Sequence, residues 1–301
     1  MSTAPAERVD FLAVEGPHGD LFPRLRRRAD ADAYRLDAGA VARYHEQGFI
    51  GRLPIIDQRQ VARLRDGLDA IIHCRTGREA ELICRSQDDP AASKRLTYLQ
   101  GAWMIDEAIH DLVFHPAITV AAAQLLGTPR VRFWHDQVFA KPPRQGGNVA
   151  WHQDYSYWKR ATPSQHLTFW IGLDDSTLEN GCLHVVPGSH RWGLLEMEDL
   201  MGDMEGVRKQ LPPERAAKFS PQPLEQPAGT CSIHHDHTIH GSYRNESDRP
   251  RRAIILNYMA DGTRSDAADG KLMDGFNLVP KGEVIRGRLF PLAIDLDALP
   301  A

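Results

Sequence analysis

The pattern of apolar residues changes near residue 130, and this change constrains the fold more than any other feature of the chain. Between residues 38 and 127, apolar side chains recur at helical spacing, as in the stripe from Val61 to Ile71. From Arg130 onward, short runs rich in β-branched and aromatic residues alternate with turn residues. Helices followed by many short strands are typical of an α+β protein with a β-sandwich or barrel core.

The strand-rich part favours a double-stranded β-helix, the cupin-like jelly-roll, with the helices packed outside it. Among the helices, Asp57 is expected to cap one N-terminus and Gly48 one C-terminus. Two more helices are expected at about 104–114 and 116–126. The expected strands are 131–141, a strand that carries the motif His-X-Asp, 167–173, 182–186, 229–234 and 254–259.

We expect a single domain over residues 38–301, preceded by an irregular arm at 1–37. Residues 191–226 are charged and contain Met and Pro, so we expect an insertion there that serves as a lid. The other parts of the domain are the helices at 38–127, the jelly-roll core at 130–262 and a C-terminal segment at 263–301.

Composition is that of an ordinary soluble globular protein, with 42% hydrophobic and 25% charged residues. The net charge of −4 and the lack of a long basic patch argue against a nucleic-acid partner. We expect no membrane span, because no apolar run approaches the roughly 20 residues that cross a bilayer, and no signal peptide, because the N-terminus has no apolar core. The four cysteines form no CxxC pair, so we expect reduced thiols and a cytoplasmic location.

The motif His-X-Asp is formed by His152 and Asp154. On an extended strand, residues i and i+2 point to the same face, so the imidazole and the carboxylate would converge while Gln153 faces away. Two histidines and one carboxylate form the facial triad that binds non-haem Fe(II) and leaves three coordination positions open. The motif therefore predicts two of three ligands to an iron ion.

The candidate for the third ligand is His240, in a segment that also contains His234, His235 and His237. If residues 230–240 are extended, His234 and His240 share a face. Gly241 follows His240 and lets backbone or ligand approach closely.

A cosubstrate with two carboxylates needs a fixed cation at its far end, and Arg251 offers the planar fork of donors that suits a carboxylate. Ser242 can add a hydroxyl to the same carboxylate. Strand alternation allows only one of Arg251 and Arg252 to point inward, and the alternative role for Arg251 is a surface salt bridge. Lys141 is a candidate contact for an anionic substrate, although a lysine at the end of a strand is usually solvated.

Four motifs in this order resemble the phytanoyl-CoA dioxygenase family, whose members are Fe(II)- and 2-oxoglutarate-dependent oxygenases on a double-stranded β-helix. The motifs are Trp151-His-Gln-Asp-Tyr155, Glu179-Asn-Gly-Cys-Leu-His184, Pro187-Gly-Ser-His190 and His240-Gly-Ser-X-X-Asn245-X5-Arg251. The resemblance covers about residues 38–260 and is specific for the family, not for a substrate.

The resemblance implies that His152, Asp154 and His240 ligate iron. It implies that Arg251, assisted by Ser242, binds the C5 carboxylate of 2-oxoglutarate. It also places Gln153 and Trp170 at positions that line the cosubstrate or substrate pocket. The implied reaction uses O2 and 2-oxoglutarate to hydroxylate an unactivated C–H bond of a small molecule, with release of succinate and CO2. Desaturation or ring closure remains a possible outcome of the same chemistry.

Two other functions are compatible with parts of the pattern. A cupin-like metalloenzyme that does not use 2-oxoglutarate would need no Arg251, and such enzymes often have three histidine ligands. A non-catalytic jelly-roll binding protein would have no reason to keep the three ligands together with Arg251 and Ser242. The sequence does not distinguish an acyl-CoA, an amino acid, an osmolyte or a natural-product intermediate as substrate, and it does not indicate an oligomeric state.

Overall fold

The computed structural model describes residues 9–86, 96–196 and 199–301. The α-helices are α1 Ala38–Gln47, α2 Gln58–Ile72, α3 Glu107–Leu112, α4 Pro116–Leu126, α5 Tyr155–Trp158, α6 Gly206–Gln210 and α7 Pro213–Ala216. Short 3-10 helices are formed by Phe11–Ala13, Arg28–Tyr34, Glu79–Glu81, Ala102–Met104 and Ser189–Arg191. The strands are β1 Phe49–Pro54, β2 Cys84–Ser86, β3 Thr97–Gln100, β4 Arg130–Lys141, β5 Val149–His152, β6 Ala161–Thr162, β7 His166–Gly172, β8 Leu183–Val185, β9 Gln222–Leu224, β10 Thr230–His235, β11 His240–Ser242, β12 Arg251–Ala260, β13 Arg264–Ser265 and β14 Leu292–Asp295.

Two antiparallel sheets form the core. An eight-stranded sheet has the order β1-β10-β7-β12-β4-β3-β2, with β14 also paired to β4. A four-stranded sheet has the order β5-β11-β8-β9. From β4 onward the chain crosses repeatedly between the two sheets, as it does from β10 to β11 and back to β12, and this crossing is the double-stranded β-helix predicted from the sequence.

Successive residues on the central strands belong to different apolar cores. Phe169 and Ile171 of β7 lie in the large core shared with the helices, whereas Trp170 between them lies in a small core shared with the four-stranded sheet. Ile254 and Ile255 of β12 divide in the same way. Because side chains alternate across a strand, one face of the large sheet packs on helices and the other faces the small sheet.

The helical layer forms as its sequence predicts. The side chain of Asp57 accepts a hydrogen bond from the backbone N–H of Gln60 at 2.8 Å and caps α2. Gly48 ends α1 with φ 83°, a conformation that glycine adopts without strain. The stripe of α2 is fully buried, and α4 lies against β4, β7 and β12. The helix expected at 104–114 is shorter and begins at Glu107, where Asp106 caps its N-terminus.

Residues Glu107–Leu126 have the length and apolar composition of a membrane-crossing helix, so the expectation that no apolar run approaches this length is wrong. This segment includes α3 and α4, and 83% of its apolar window is buried inside the fold. Burial of that extent is what a core helix of a globular domain shows.

The insertion expected at 191–226 is partly built into the core. Its last residues form β9, which pairs with β8 and extends the small sheet. Val207 and Leu211, from α6 and its C-terminal end, pack with Trp151 in a small apolar cluster. The C-terminal end of the segment is therefore part of the jelly-roll, and only the portion before it lies outside the strands.

Candidate metal and cosubstrate site

Adjacent strands of the small sheet bring two predicted metal ligands together. His152 ends β5 and His240 begins β11, and the two residues are paired across the ladder. The Nε2 atom of each lies 3.6 Å from Oδ1 of Asp154. The three buried residues offer ligand atoms within 4.8 Å of one another, so a single ion can contact all three.

Asp154 reaches this cluster in a different way from the one predicted. β5 ends at His152, and Asp154 has helical backbone angles, φ −57° and ψ −43°, immediately before α5. The expectation that His152 and Asp154 share one face of a strand is therefore wrong. The chain turns from strand into helix between them, and this turn directs the carboxylate towards both imidazoles.

The expected extended segment at 230–240 is also interrupted. β10 ends at His235 in the large sheet, and β11 begins at His240 in the small sheet. His234 and His240 nevertheless face each other, with ring centres 4.2 Å apart, because the two sheets lie face to face there. His234 is thus a neighbour of the metal cluster from the opposite sheet.

Backbone carbonyls fix the tautomers of both histidine ligands. Nδ1 of His152 lies 2.8 Å from the carbonyl oxygen of Ala150, and Nδ1 of His240 lies 2.9 Å from that of Thr238. A carbonyl only accepts, so each Nδ1 donates and each Nε2 keeps its lone pair for a metal. Burial, followed by the neighbouring histidines, holds the pKa of His240 well below its ordinary value. His240 is therefore neutral at physiological pH, as a ligand must be.

Asp154 is held as a carboxylate. Burial by itself raises the pKa of Asp154, but the neighbouring histidines, His240 first among them, outweigh burial and hold the pKa well below its ordinary value. The oxygen Oδ2 accepts a hydrogen bond from the hydroxyl of Thr168 at 2.6 Å and lies 3.1 Å from Nε2 of His234. The other oxygen, Oδ1, is the one that faces the two imidazoles.

Arg251 begins β12 and is buried, with 1% of its surface exposed. Its guanidinium lies 5.3 Å from the ring centre of Trp170, and one terminal nitrogen donates to the carbonyl oxygen of Gly181 at 2.8 Å. Its Nε has no hydrogen-bond partner within the described part of the chain. Burial lowers the pKa of Arg251 to about 10, so the group is still a cation at neutral pH. A buried cation with donors to spare is suited to an anionic ligand.

Arg252 points the other way, as strand alternation predicts. Its guanidinium binds Asp174 at 2.9 Å and Asp69 at 2.8 Å. Because successive side chains of a strand point to opposite faces, only one of the two arginines faces the cavity. That residue is Arg251, which faces the space between the sheets, whereas Arg252 is held in salt bridges.

Of the two roles considered for Lys141, that of a solvated lysine at the end of a strand is wrong. Lys141 is paired with Arg251 in the ladder between β4 and β12, and its side chain is fully buried. Its Nζ donates to Oγ of Ser242 at 2.7 Å and also to the carbonyl oxygen of Tyr243. Burial, followed by the charge of Arg251, holds the pKa of Lys141 well below its ordinary value. Only the strand register reveals this second basic group beside Arg251.

The two further pocket residues implied by the resemblance have different positions. Trp170 lines the cavity beside Arg251. Gln153 points away from it: its amide nitrogen donates to the carbonyl oxygens of Gly193 and His237, and its oxygen accepts from the N–H of Leu195. The expectation that Gln153 lines the pocket is wrong, because these bonds fix its side chain against the segment after β8.

One cavity of about 720 Å³ connects the metal cluster with Arg251. Its lining includes the three candidate ligands together with Trp170, Ser242 and Arg251. The remaining lining comes mainly from β3, β4, α5, Leu200 and residues 269–275.

A jelly-roll that holds two histidines and one carboxylate beside a buried arginine is the arrangement of non-haem iron oxygenases that use 2-oxoglutarate. The family model of phytanoyl-CoA dioxygenase (PhyH) matches residues 44–253, and the chain belongs to this family. The family resemblance drawn from the sequence motifs is confirmed.

The chain is also similar to several proteins whose names state an activity. The chain is 28% identical over 206 residues to a probable alpha-ketoglutarate-dependent hypophosphite dioxygenase of Stutzerimonas stutzeri, covering 68% of this chain and 70% of that protein. It is 28% identical over 236 residues to L-proline trans-4-hydroxylase of Streptomyces griseoviridis, covering 73% and 85%. The solved structure of the alpha-ketoglutarate-dependent carbocyclase SnoK from nogalamycin biosynthesis matches with a TM-score of 0.69 at 25% identity, covering 87% of this chain and 97% of that one. The chain is a 2-oxoglutarate-dependent dioxygenase with iron and 2-oxoglutarate as its cofactors.

The residues present fit both cofactors. The metal end offers two imidazole nitrogens with fixed lone pairs and one carboxylate oxygen, the donor set of a facial triad. The other end offers a buried guanidinium whose Nε is without a partner among the described residues. An orphaned buried donor costs free energy unless a ligand satisfies it, and a carboxylate of 2-oxoglutarate is such a ligand.

Proposed function

We propose that the enzyme hydroxylates an unactivated C–H bond of a small molecule and releases succinate and CO2. In this proposal, His152, Asp154 and His240 bind Fe(II), and Arg251 binds the C5 carboxylate of 2-oxoglutarate. The observation that supports it best is the placement of an anionic ligand cluster and a buried cation in one cavity. When bound, iron and 2-oxoglutarate supply the oxidation by O2.

Both polar and apolar side chains prepare the carboxylate end of the cavity. Arg251 neutralises the incoming charge, and its position against the ring of Trp170 limits its rotation. Lys141 donates to Oγ of Ser242, so the hydroxyl proton of Ser242 is free to be donated to the carboxylate. The apolar walls formed by Leu183 and Ile255 exclude water from this end and strengthen each charge contact.

The carboxylate of Asp154 also supports hydroxylation as the outcome. Related halogenases have a small residue at this position, which leaves room for a halide. Here the position is filled by Asp154, and Thr168 holds its side chain in place through Oδ2. The product distinguishes the outcomes, since hydroxylation adds one oxygen atom whereas desaturation and ring closure remove two hydrogen atoms.

Anaerobic titration of the purified protein with Fe(II) and 2-oxoglutarate tests the proposal. We expect the weak visible charge-transfer band of the chelate in the wild type, and no band in His240→Ala or, at the same 2-oxoglutarate concentration, in Arg251→Ala. Arg28→Ala, which changes an exposed arginine far along the chain, is the matched control and should keep the band. A folded wild-type protein without the band would refute the assignment of these residues.

We further propose that the enzyme acts in the cytoplasm on a freely diffusing substrate. All four cysteines are free, and Cys74 and Cys84 are exposed, which suits a reducing compartment. Cell fractionation with an antibody against the native protein tests this proposal, and recovery in a membrane or secreted fraction would contradict it.

A further inference from the structure

The cavity wall around the metal site contains few charged groups. From β3, β4 and α5 it is formed by residues such as Tyr98, Gln100, Gln137 and Trp158, and from the C-terminal segment by residues such as Leu272. His135 also lines it, and burial lowers the pKa of this histidine to about 4, so the ring is neutral. Within the described residues, the inner wall therefore offers aromatic, aliphatic and amide groups.

The other charged residues of the lining lie at the mouth of the cavity. Apart from Asp154 and Arg251, the lining has five Asp, Lys or Arg residues, all exposed: Lys159, Arg160, Asp269, Lys271 and Asp274. Four of them bind one another: Arg160 binds Asp269 at 2.8 Å, and Lys271 binds Asp274. The four paired charges compensate each other, and Lys159 is the fifth; all five are hydrated at the mouth, so they are poor partners for a small ion held near the metal.

Two groups of the inner wall are poised to hydrogen-bond a neutral ligand. The hydroxyl of Tyr98 accepts from the amide of Gln137 at 3.2 Å, which leaves its own proton to donate. Burial raises the pKa of Tyr98 to about 12, so this proton is kept at physiological pH. The side-chain amide of Gln100 makes no hydrogen bond to any described residue and can both donate and accept.

We propose that the substrate is a bulky, uncharged molecule that presents hydroxyl or carbonyl groups to Tyr98 and Gln100 and packs its apolar body against Trp158 and Leu272. The proposal rests on the proposed function. A carboxylate, ammonium or phosphinate buried at this wall would lose its hydration without gaining a counter-charge, at a cost of several kcal/mol. The volume of about 720 Å³ suits a drug-sized molecule beside 2-oxoglutarate, whereas a ligand of a few atoms would leave most of it unfilled.

A binding panel on the iron- and 2-oxoglutarate-loaded enzyme tests this class. The panel has three groups: neutral hydroxy- and keto-substituted polycyclic compounds of about 20 to 30 heavy atoms, zwitterions such as L-proline, and anions such as hypophosphite and decanoyl-CoA. Binding is measured anaerobically by the shift of the charge-transfer band. We expect shifts from members of the neutral group and none from the other two at equal concentration.

The outcomes separate the two proposals. If the band forms but the tightest ligands are zwitterions or anions, or if no neutral compound binds, the substrate class is wrong and the proposed function stands. If the band does not form in folded protein, the proposed function fails first. As a matched variant, Gln100→Glu places a charge in the wall and should weaken the neutral ligands at least about tenfold without changing the band.

A second inference comes independently from the contacts of Asp154. One carboxylate oxygen faces the two imidazole ligands, whereas the other is held by Thr168 and lies 3.1 Å from Nε2 of His234. An ionised carboxylate only accepts, so Nε2 of His234 carries the proton. Nδ1 of His234 has no partner among the described residues, which fits its being unprotonated.

We infer that His234 is a positioning residue for the metal site. With Thr168, it contacts Oδ2 of Asp154, so that Oδ1, which faces the two imidazoles, would be the oxygen offered to a bound metal. Because His234 extends from the opposite sheet, it also ties the ligand to the large sheet.

Metal affinity tests this inference without recourse to turnover. His234→Phe should weaken Co²⁺ binding about 10- to 100-fold. Binding is measured by the visible absorption of the bound ion. His234→Gln restores a donor to Asp154 and should recover much of the lost Co²⁺ affinity. The control is His235→Phe, because His235 contacts Asp236 and not Asp154; this variant should bind Co²⁺ as tightly as the wild type does. Wild-type affinity in folded His234→Phe would overturn the inference.

A second measurement needs no variant. In ¹⁵N-histidine NMR spectra of the zinc-loaded wild type, His234 should be the Nε2–H tautomer, whereas the ligands His152 and His240 should carry the proton on Nδ1. An Nδ1–H tautomer of His234 would contradict the proposed donation.

Discussion

The two ends of the cavity differ in how complete their contacts are. At the metal end, each ligand has a protein partner behind it: a carbonyl for each histidine, and Thr168 for Asp154. At the carboxylate end, the guanidinium of Arg251 and the amine of Lys141 lie buried side by side, and neither is bound to a carboxylate among the described residues. The first end is a preorganised anionic site for a cation, and the second is a strained cationic site for an anion. The difference teaches that the two ligands of the proposal would have different roles: 2-oxoglutarate would compensate a buried charge, whereas the metal would complete a preorganised set of ligand atoms.

The largest effect is expected from a substitution at the metal end of the cavity. Asp154→Ala removes the only anionic ligand, so we expect hydroxylation to fall below detection while the circular dichroism spectrum stays native. The effect is measured as the amount of hydroxylated product formed for each succinate released. Coupled turnover in this variant at more than a trace would contradict the role of Asp154.

A smaller effect is expected at the cationic end. Arg251→Gln keeps a hydrogen-bond donor but removes the charge, so the KM for 2-oxoglutarate should rise about 100-fold. The Kd for Co²⁺ should change by less than about twofold, because the two ends bind different ligands. Steady-state kinetics and a cobalt titration measure the pair of effects, and parallel losses in both would show that the ends are not separable.

Lys141→Met tests whether the second cation contributes. The KM for 2-oxoglutarate should rise about tenfold, because a charged partner of Ser242 is lost. Burial and the charge of Arg251 depress the pKa of Lys141. In the wild type, the affinity for 2-oxoglutarate should therefore fall as pH rises through that depressed pKa, because Lys141 loses its proton. The variant should flatten this pH dependence, and an unchanged pH profile would exclude Lys141 from the carboxylate site.

The last prediction concerns stability and leaves the activity unchanged: it involves a buried imidazole, His115, that lies outside the cavity lining. Burial lowers the pKa of His115 to about 4 from 6.5. Between these values the unfolded chain binds more protons than the folded chain, so stability is full above pH 6.5 and is lost as pH falls towards 4. The loss is at most about 3 kcal/mol. His115→Asn keeps a side chain that caps α4 and should reduce this loss in urea unfolding; an unchanged loss would show that His115 is not its source.

Local sequence patterns predicted much of the fold because they report which face of an element is apolar. The α2 stripe, the cap residues Asp57 and Gly48, and the strands of the jelly-roll follow from periodicity and turn chemistry. The three candidate ligands are also brought together as expected. The reasons given for Asp154 and His234 were nevertheless wrong, since each depends on where a strand ends. A strand end is set by the competition between ladder pairing and turns, which a short motif does not reveal.

The sequence by itself determined the class of fold, the family and the residue types available for iron and 2-oxoglutarate. Only the tertiary structure decided which groups are buried together: Lys141 beside Arg251, Gln153 turned away from the cavity, and His234 against Asp154. The physical reason is that register and the approach of two sheets are collective results of core packing. Charge, protonation and access at a site depend on these contacts, which lie far apart in the chain.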